Sequence, residues 1–443
     1  MRRKRLLWQG LFWFGSYLAL TLAPLLIVLL GTAQPKREFL RELSVALGFL
    51  GLAMMGLQFV LTARFKLLKS PYGSDVVYHF HRQISLVGFG LVLAHPVLLA
   101  FVDLPAVLIR FDFVNHPLYP RFGFYALLMV VLLVLSSLFR ARWRLDYDLW
   151  RRAHAVLASL AVIFAVIHVL EIGHYLQSPW KRAFWIGYSL MWLGLIGWVR
   201  LVKPWRELRT PYLVEEVRSE RGNAHTLAVA PLGHAGLRFA PGQFAWLTAG
   251  ASPFSDREHP FSFSGSAARA PRRLEFTIKE LGDFTRRIKT LKPGERVYLD
   301  GPFGALSADR HPDADGFVFI AGGIGITPMM SHLRTFADRS ERRPLVLIYG
   351  GLDLETLTFR EEIDALASRL DLKVVYVLAR PAAGWTGESG VVTEDLLRRH
   401  LPRAGQHEYF ICGPPAMMDA VERSLGRLGI PVGDFHSERF NLV

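Results

Sequence analysis

Six apolar stretches fill the first half of the 443-residue chain, at about 6–31, 43–63, 77–101, 121–139, 150–172 and 182–201. Each is near the length of roughly 20 residues that a helix needs to cross about 30 Å of hydrocarbon. The first is too long for a removable signal peptide and lacks a small-residue cleavage site. The second half has an ordinary polar balance, so a mean hydropathy of +0.25 with 51 % apolar residues describes a chain that is half in lipid. One cysteine, Cys412, rules out an intrachain disulfide and fits a soluble part kept in a reducing cytosol.

The net charge of +14 would suit a nucleic-acid partner, but its distribution argues against one. Arg2, Arg3, Lys4 and Arg5 precede the first span, and Arg64, Lys66 and Lys69 follow the second. Arg140, Arg142, Arg144, Arg151 and Arg152 bracket the turn between the fourth and fifth, and Arg200 and Lys203 follow the sixth. All four clusters fall on one side of a six-span topology, and the positive-inside rule makes that side the cytoplasm. Both termini are then inside, the third and fifth spans run outward, and membrane lipid is the expected partner.

Those two spans each carry a pair of histidines fourteen residues apart, His81 with His95 and His154 with His168. Fourteen helical steps bring the second imidazole to within about 40° of the first and about 21 Å further along. His79 and His174 fall about 200° and about 240° away from the stripes. Ionisable groups at such depths are costly enough in lipid to suggest function. Only Glu171 could add a carboxylate ligand to these helices, which argues against zinc or di-iron, whereas bis-imidazole ligation of haem needs nothing more. The expectation is two haem b groups stacked across the membrane. With the helices parallel, His81 pairs with His154 at the inner depth and His95 with His168 at the outer.

The composition shifts at Lys203-Pro204-Trp205. Short alternating strands follow, such as Tyr212–Val217, His225–Val229 and Arg273–Ile278, with Gly and Pro between them, and they predict a small antiparallel β-barrel. From Gly316 onward, apolar runs at Phe317–Ile320, Leu345–Tyr349, Lys373–Leu378 and Glu408–Ile411 alternate with helical stretches, which predicts a parallel sheet with crossover helices. The expected domains are a six-helix transmembrane bundle at 1–205, a barrel at 206–312 and an α/β domain at 313–443. Ala321-Gly-Gly-Ile-Gly-Ile-Thr-Pro is a Gly-rich strand-to-helix turn of the kind that lets backbone amides approach a pyrophosphate. Cys412-Gly413-Pro414-Pro415 caps a second strand at the same carboxyl edge.

His259-Pro260-Phe261-Ser262, Lys279 with Gly282-Asp283-Phe284-Thr285, Gly301-Pro302-Phe303-Gly304, Gly322 to Pro328 and Cys412 to Pro415 stand in that order. Together they resemble the FAD- and nicotinamide-binding module of the ferredoxin-NADP reductase superfamily. With the two His-x13-His helices in front, nearly the whole chain resembles the membrane ferric reductases and NADPH oxidases, in a compact bacterial form. The resemblance assigns FAD to His259, Pro260, Phe261, Ser262, Lys279, Gly282 and Thr285, with Phe261 and Ser262 at the isoalloxazine and Thr285 at the diphosphate. It assigns NADPH or NADH to Gly322, Gly323, Gly325, Thr327, Pro328, Gly413 and Pro414. Cys412 would lie beside the nicotinamide, and Phe440 would cover the flavin, although three residues follow it where the oxidases end on the aromatic. Arg380 ends a strand where relatives that use NADPH carry a Ser-Arg pair for the 2′-phosphate, but here Ala379 precedes it. No EF-hand loop is present.

The function implied is transmembrane electron transfer from NAD(P)H through FAD and two haems, in a bacterial plasma membrane with the dehydrogenase on the cytoplasmic side. The first acceptor expected is dioxygen, giving superoxide, and the second a ferric or cupric chelate, for which Lys36, Arg37 and Arg41 offer positive charge. A reading of another class is a proton channel or transporter, its His stripe relaying protons beside a redox-sensing soluble domain.

Overall fold

The computed structural model describes residues 2–30, 38–64, 74–105, 119–172, 174–255 and 257–439. Lys36, Arg37, Lys66, Lys69 and Phe440 lie outside them. The chain divides into two compact units, Met1–Pro71 with Val76–Pro204, and Tyr72–Asp75 with Trp205–Val443.

The first unit is all helical: α1 (Arg2–Leu29), α2 (Phe39–Thr62), α3 (Ser74–Val102), α4 (Tyr119–Leu138), α5 (Tyr147–Ile172) and α6 (Pro179–Gly197). Each contains a stretch long and apolar enough to cross a membrane. Trp8, Phe12, Val97, Phe101, Leu135, Val156 and Leu190 are exposed on these helices, an arrangement suited to hydrocarbon rather than water. Between helices, glycine permits close approach. A Cβ on Gly51 would sit 2.7 Å from Val92 Cγ2, and one on Gly56 would sit 2.1 Å from the Trp192 ring. Polar ties add to the packing: Lys181 donates to the Val28 carbonyl at 2.7 Å, and the Tyr188 hydroxyl to the Leu20 carbonyl at 2.9 Å. The sixth helix does not stop at 201 as its apolarity predicts. It passes through a π-helical turn at Trp198–Val202 into α7 (Lys203–Leu208), and Pro204, which has no N–H to give to the preceding turn, stands at this irregularity.

The second unit opens with β1 (Tyr212–Glu220), β2 (Ala224–Pro231), β3 (Phe244–Ala249), β4 (His259–Ser262) and β5 (Leu274–Lys279). Then come the short helix α8 (Asp283–Arg287) and β6 (Arg296–Phe303). The strands pair antiparallel in the order β4-β3-β6-β1-β2-β5. The ring closes through the bridge Phe263↔Phe276 and the Ser264 amide, which donates to the Glu275 carbonyl at 2.8 Å. Leu227, Val229, Leu247, Phe263 and Phe276 fill the barrel, with Phe239 stacked on Phe263 at 4.0 Å.

The α/β part follows as β7 (Gly316–Gly322), α9 (Ile326–Arg339), β8 (Leu345–Gly351), α10 (Arg360–Ala367), β9 (Leu372–Leu378), β10 (Glu388–Ser389), α11 (Glu394–His400), β11 (His407–Cys412), α12 (Pro415–Arg427) and β12 (Phe435–Ser437). All its pairings are parallel, in the order β10-β9-β8-β7-β11-β12. Alternate residues of β7 feed separate cores, Phe317 and Phe319 on one face and Val318 and Ile320 on the other, so the sheet is covered on both sides. The chain leaves β7 toward β8 on one side and returns to β11 on the other. This reversal opens a crevice at the carboxyl ends of β7 and β11. Arg334 of α9 locks barrel to sheet, since it is nearly buried and bonds the Ser264 carbonyl at 2.9 Å, Glu275 at 3.3 Å and Glu362 at 2.6 Å.

Candidate functional site

In the membrane unit, three of the four histidines are oriented by polar groups on a neighbouring helix. The His81 Nδ1 lies 2.9 Å from Gln58 Oε1, and the Gln58 amide nitrogen is committed to the Met54 carbonyl at 2.8 Å. The His95 Nδ1 is 2.9 Å from the Ser44 carbonyl, while the Ser44 hydroxyl donates to the His95 carbonyl at 2.7 Å. The His154 Nδ1 is 3.2 Å from the Ser137 hydroxyl, whose proton goes to the Leu133 carbonyl at 2.7 Å. The Gln58 oxygen and the Ser44 carbonyl can only accept from the imidazole, and the Ser137 hydroxyl accepts while its proton is given to Leu133, so in this arrangement Nδ1 carries the proton and Nε2 keeps its lone pair. That is the tautomer a metal needs, and donation from Nδ1 raises ligand basicity. His81 also lies close enough to His154 for the two to interact electrostatically.

Glycines make room for the other two rings. A Cβ on Gly123 of α4 would sit 2.6 Å from His168 Cε1, and one on Gly48 of α2 would sit 3.2 Å from His95 Cγ. The donor set therefore fits bis-imidazole ligation of haem. The sequence singled out the four imidazoles but not Ser44, Gln58, Ser137, Gly48 and Gly123 beside them. A buried Ser and Gln inside an apolar span was the available signal.

In the reductase unit, the crevice brings the two nucleotide motifs together. A Cβ on Gly325 would lie 2.3 Å from the Cys412 carbonyl oxygen, and one on Gly322 would lie 2.5 Å from Met417 Sδ and 2.9 Å from Pro414 Cδ. The Gly413 Cβ position is 3.0 Å from the Gly322 nitrogen. These three glycines serve close backbone packing. Gly323 differs, with φ at +53° and nothing near its Cβ position, so it is the glycine with open space in front of it. Thr327 is buried and its hydroxyl donates to the Ile324 carbonyl at 2.8 Å, which ties down the start of α9. Pro328 is buried in the first turn of α9, and the exposed Pro414 immediately precedes α12. The Cys412 thiol is 4 % exposed, and burial, with a smaller push from the Glu438 carboxylate, raises its pKa to about 12. It is thus a neutral packing group at physiological pH. Arg380 is exposed, its backbone amide donating to the Leu352 carbonyl at 2.7 Å.

The flavin motifs meet on the barrel. β4 holds His259 and Phe261 on one face, with Pro260 and Ser262 buried on the other. Phe284 joins the two motifs, its ring 4.1 Å from that of His259 and stacked on Phe261 at 5.8 Å. These half-exposed rings offer a flat apolar surface suited to an isoalloxazine. Lys279 ends β5 beside them. The Thr285 hydroxyl accepts from the amides of Leu281 and Gly282, each at 2.8 Å, and donates to the Gly282 carbonyl at 2.9 Å. In this conformation it closes its own turn, leaving no hydrogen-bond position for a diphosphate. Beyond β12, Arg439 pairs with Asp419 and Glu422 of α12, at 2.7 and 3.1 Å, which pins the chain just before Phe440.

Residues 47–166 match the family described as ferric reductase like transmembrane component, and residues 319–423 match the oxidoreductase NAD-binding domain. NADH-cytochrome b5 reductase 1 of Laccaria bicolor is 35 % identical over 176 residues, 38 % of this chain and 56 % of that protein. NADH-cytochrome b5 reductase 2 of Mycosarcoma maydis is 32 % identical over 163 residues, 35 % of this chain and 46 % of that protein. The chain spans about half the length of these curated relatives. The solved cytochrome b5 reductase domain of Ulva prolifera nitrate reductase is 21 % identical, with a TM-score of 0.46 over 52 % of this chain and 97 % of that one. With six apolar helices and the transmembrane match, the chain is a multi-pass membrane protein.

Proposed function

We propose that this chain carries electrons from cytoplasmic NAD(P)H across the membrane to dioxygen, releasing superoxide. The observation that carries the reading is the orientation of His81, His95 and His154, whose Nδ1 atoms are each engaged by a neighbouring helix and whose Nε2 atoms keep their lone pairs. When bound, FAD would divide a hydride into single electrons, and two haems would carry these one at a time. The inner haem would be held by His81 and His154, the outer by His95 and His168. Gln58, Ser44 and Ser137 fix ring orientation and keep Nε2 available. On the barrel, His259, Phe261 and Phe284 would seat the flavin ring. At the crevice, Gly323 allows the nicotinamide dinucleotide to approach the backbone, while Gly322, Gly325 and Gly413 hold the two loops together. The basic clusters beside the spans support a cytoplasmic reductase unit and cytoplasmic termini.

Dioxygen suits the outer side because it is small and neutral and needs no charged recognition site. Arg41, offered above as a cation for an anionic chelate, is paired with Asp103 at 3.5 Å. The match of 47–166 to a ferric reductase like component favours a second acceptor, a ferric chelate. In nanodiscs supplied with NADPH, a superoxide trap and a ferrous-iron trap run in parallel should separate them. The expected result is two superoxide per NADPH, abolished by superoxide dismutase. Ferrous iron formed from a ferric chelate without oxygen consumption would overturn the choice of acceptor, and a colourless preparation from haem-replete cells would overturn the electron-transfer reading itself.

Arg380 is the candidate reader of the 2′-phosphate. Arg380→Ala should raise KM for NADPH roughly tenfold, the loss of about 1.4 kcal/mol expected of a charge-assisted contact, and leave KM for NADH alone. Equal effects on both nucleotides in steady-state kinetics would mark Arg380 as a general contact.

A further inference from the structure

Away from both cofactor regions, three side chains from separate stretches of the reductase unit converge. Glu408 stands near the start of β11, at the end of the strand opposite Cys412. His436 comes from β12, where it sits in register with Phe410, two residues beyond Glu408. His311 follows the short turn Ala308–Arg310 that precedes β7. His311 Nδ1 lies 3.1 Å from Glu408 Oε1, and His436 Nε2 lies 2.6 Å from Glu408 Oε2. The two imidazole centroids are 4.4 Å apart, and one ligand atom from each of the three residues falls within 4.8 Å of the others. His311 and Glu408 are each 6 % exposed, whereas the His436 side chain is 24 % exposed and opens the group toward solvent.

We propose that His311, Glu408 and His436 form a binding site for one divalent transition-metal ion of the zinc class. The donor set is two imidazole nitrogens and one carboxylate oxygen, a combination that zinc takes readily, leaving a fourth position for water on the exposed side of His436. Tetrahedral bonds of about 2.0–2.2 Å place ligand atoms about 3.3–3.6 Å apart, so ligand atoms that now lie within 4.8 Å of one another would draw together by at most about 1.5 Å to enclose the ion. A carboxylate taken out of water needs a compensating charge or full hydrogen bonding. Two neutral imidazoles donating to Glu408 can supply the second, and this metal-free triad is the alternative that the experiment must separate. Alternation along β11 puts Phe410 and Cys412 on the same face as Glu408. Phe410 packs against both imidazoles, 5.8 Å from His311 and 5.2 Å from His436, and the Cys412 thiol stays protonated, so no sulfur belongs to the set. An ion here would bridge β11, β12 and the turn before β7. It would tether the C-terminal strand that leads to Arg439 and Phe440.

The test uses the full chain, purified in detergent with its haem and flavin and stripped with a chelator. It is titrated with zinc chloride against a chromophoric competitor and assayed for bound metal after dialysis. The wild type should retain one zinc per chain more than Glu408→Gln or His436→Gln, with affinity at that site lowered by about a hundredfold in each variant. X-ray absorption at the zinc edge of the wild type should show nitrogen and oxygen neighbours, imidazole scattering and no sulfur. Flavin content and NADH-driven dye reduction should be unchanged in both variants. Equal zinc in wild type and folded variants overturns the proposal, as does a sulfur-containing shell or the absence of tightly held zinc in the wild type. The wild-type absorption measurement decides even where a variant fails to fold.

Discussion

Replacing His154 by leucine should remove about half of the haem and bring superoxide formation to background, with NAD(P)H-driven reduction of a soluble dye unchanged. The separation follows from position. His154 lies on α5 in the membrane unit, with its Nδ1 held by Ser137 and its ring near His81, whereas every residue proposed to touch FAD or nucleotide lies in the reductase unit. One lost ligand would leave the proposed inner iron with a single imidazole, and the gap in the electron path would then lie between flavin and the outer haem. His81→Leu should give the same phenotype, because the two are assigned to one iron. Ser137→Ala should weaken haem retention by a smaller factor, of the order of tenfold to a hundredfold typical of lost groups that orient ligands. Haem content by the pyridine haemochrome method, set beside dye reduction, checks all three. Full haem in both histidine variants would end the ligand assignment.

Gly325→Val should be nearly as damaging by a different route. Gly325 has a φ of −61°, which any residue can adopt, so the demand here is for space rather than backbone freedom. Its Cβ would meet the Cys412 carbonyl oxygen at 2.3 Å, the carbonyl carbon at 2.5 Å and Gly413 Cα at 2.8 Å. All three are main chain of the neighbouring loop, which cannot swing aside as a side chain does. The cost should be at least the roughly 1–3 kcal/mol of an overpacked core, with β7 and β11 loops prised apart and the Michaelis constant for NAD(P)H raised by more than about tenfold. Gly323→Ala is the contrast. Nothing crowds its Cβ, so only the cost of a left-handed conformation remains, about 1 kcal/mol. Thermal melting and nucleotide titration of the pair check this. If Gly325→Val melted and bound nucleotide as Gly323→Ala does, the close packing of the two loops would not be what makes the crevice.

Much of this was legible along the chain because it is local or periodic. Apolar length alone specifies six spanning helices, since lipid leaves a segment no other way to satisfy its backbone. The fourteen-residue interval specifies two imidazoles on one stripe at two depths, because helical pitch is a property of the backbone rather than of its neighbours. Alternating and continuous apolar runs specify a barrel followed by a parallel sheet, since they record how many faces of each strand are buried.

What the tertiary structure decided is non-local. Ser44, Gln58 and Ser137 select the protonated nitrogen of their histidines from 51, 23 and 17 residues away, and no spacing rule reaches across two helices. Strand order put Gly325 against Cys412, and with it separated the glycines that pack from Gly323, which faces open space. The resemblance assigns Thr285 to the diphosphate and Thr327 to the nicotinamide dinucleotide, yet here both hydroxyls close their own turns, because a backbone carbonyl within the same loop is always at hand. His311, Glu408 and His436 meet only because β11 pairs with both β7 and β12, which brings the turn before one strand and the middle of the other to the same carboxylate. Sequence determines which elements form and which faces they present. Which groups then touch is set by the packing of those faces, and in this chain that contact chooses imidazole tautomers, loop spacing and the company of a buried carboxylate.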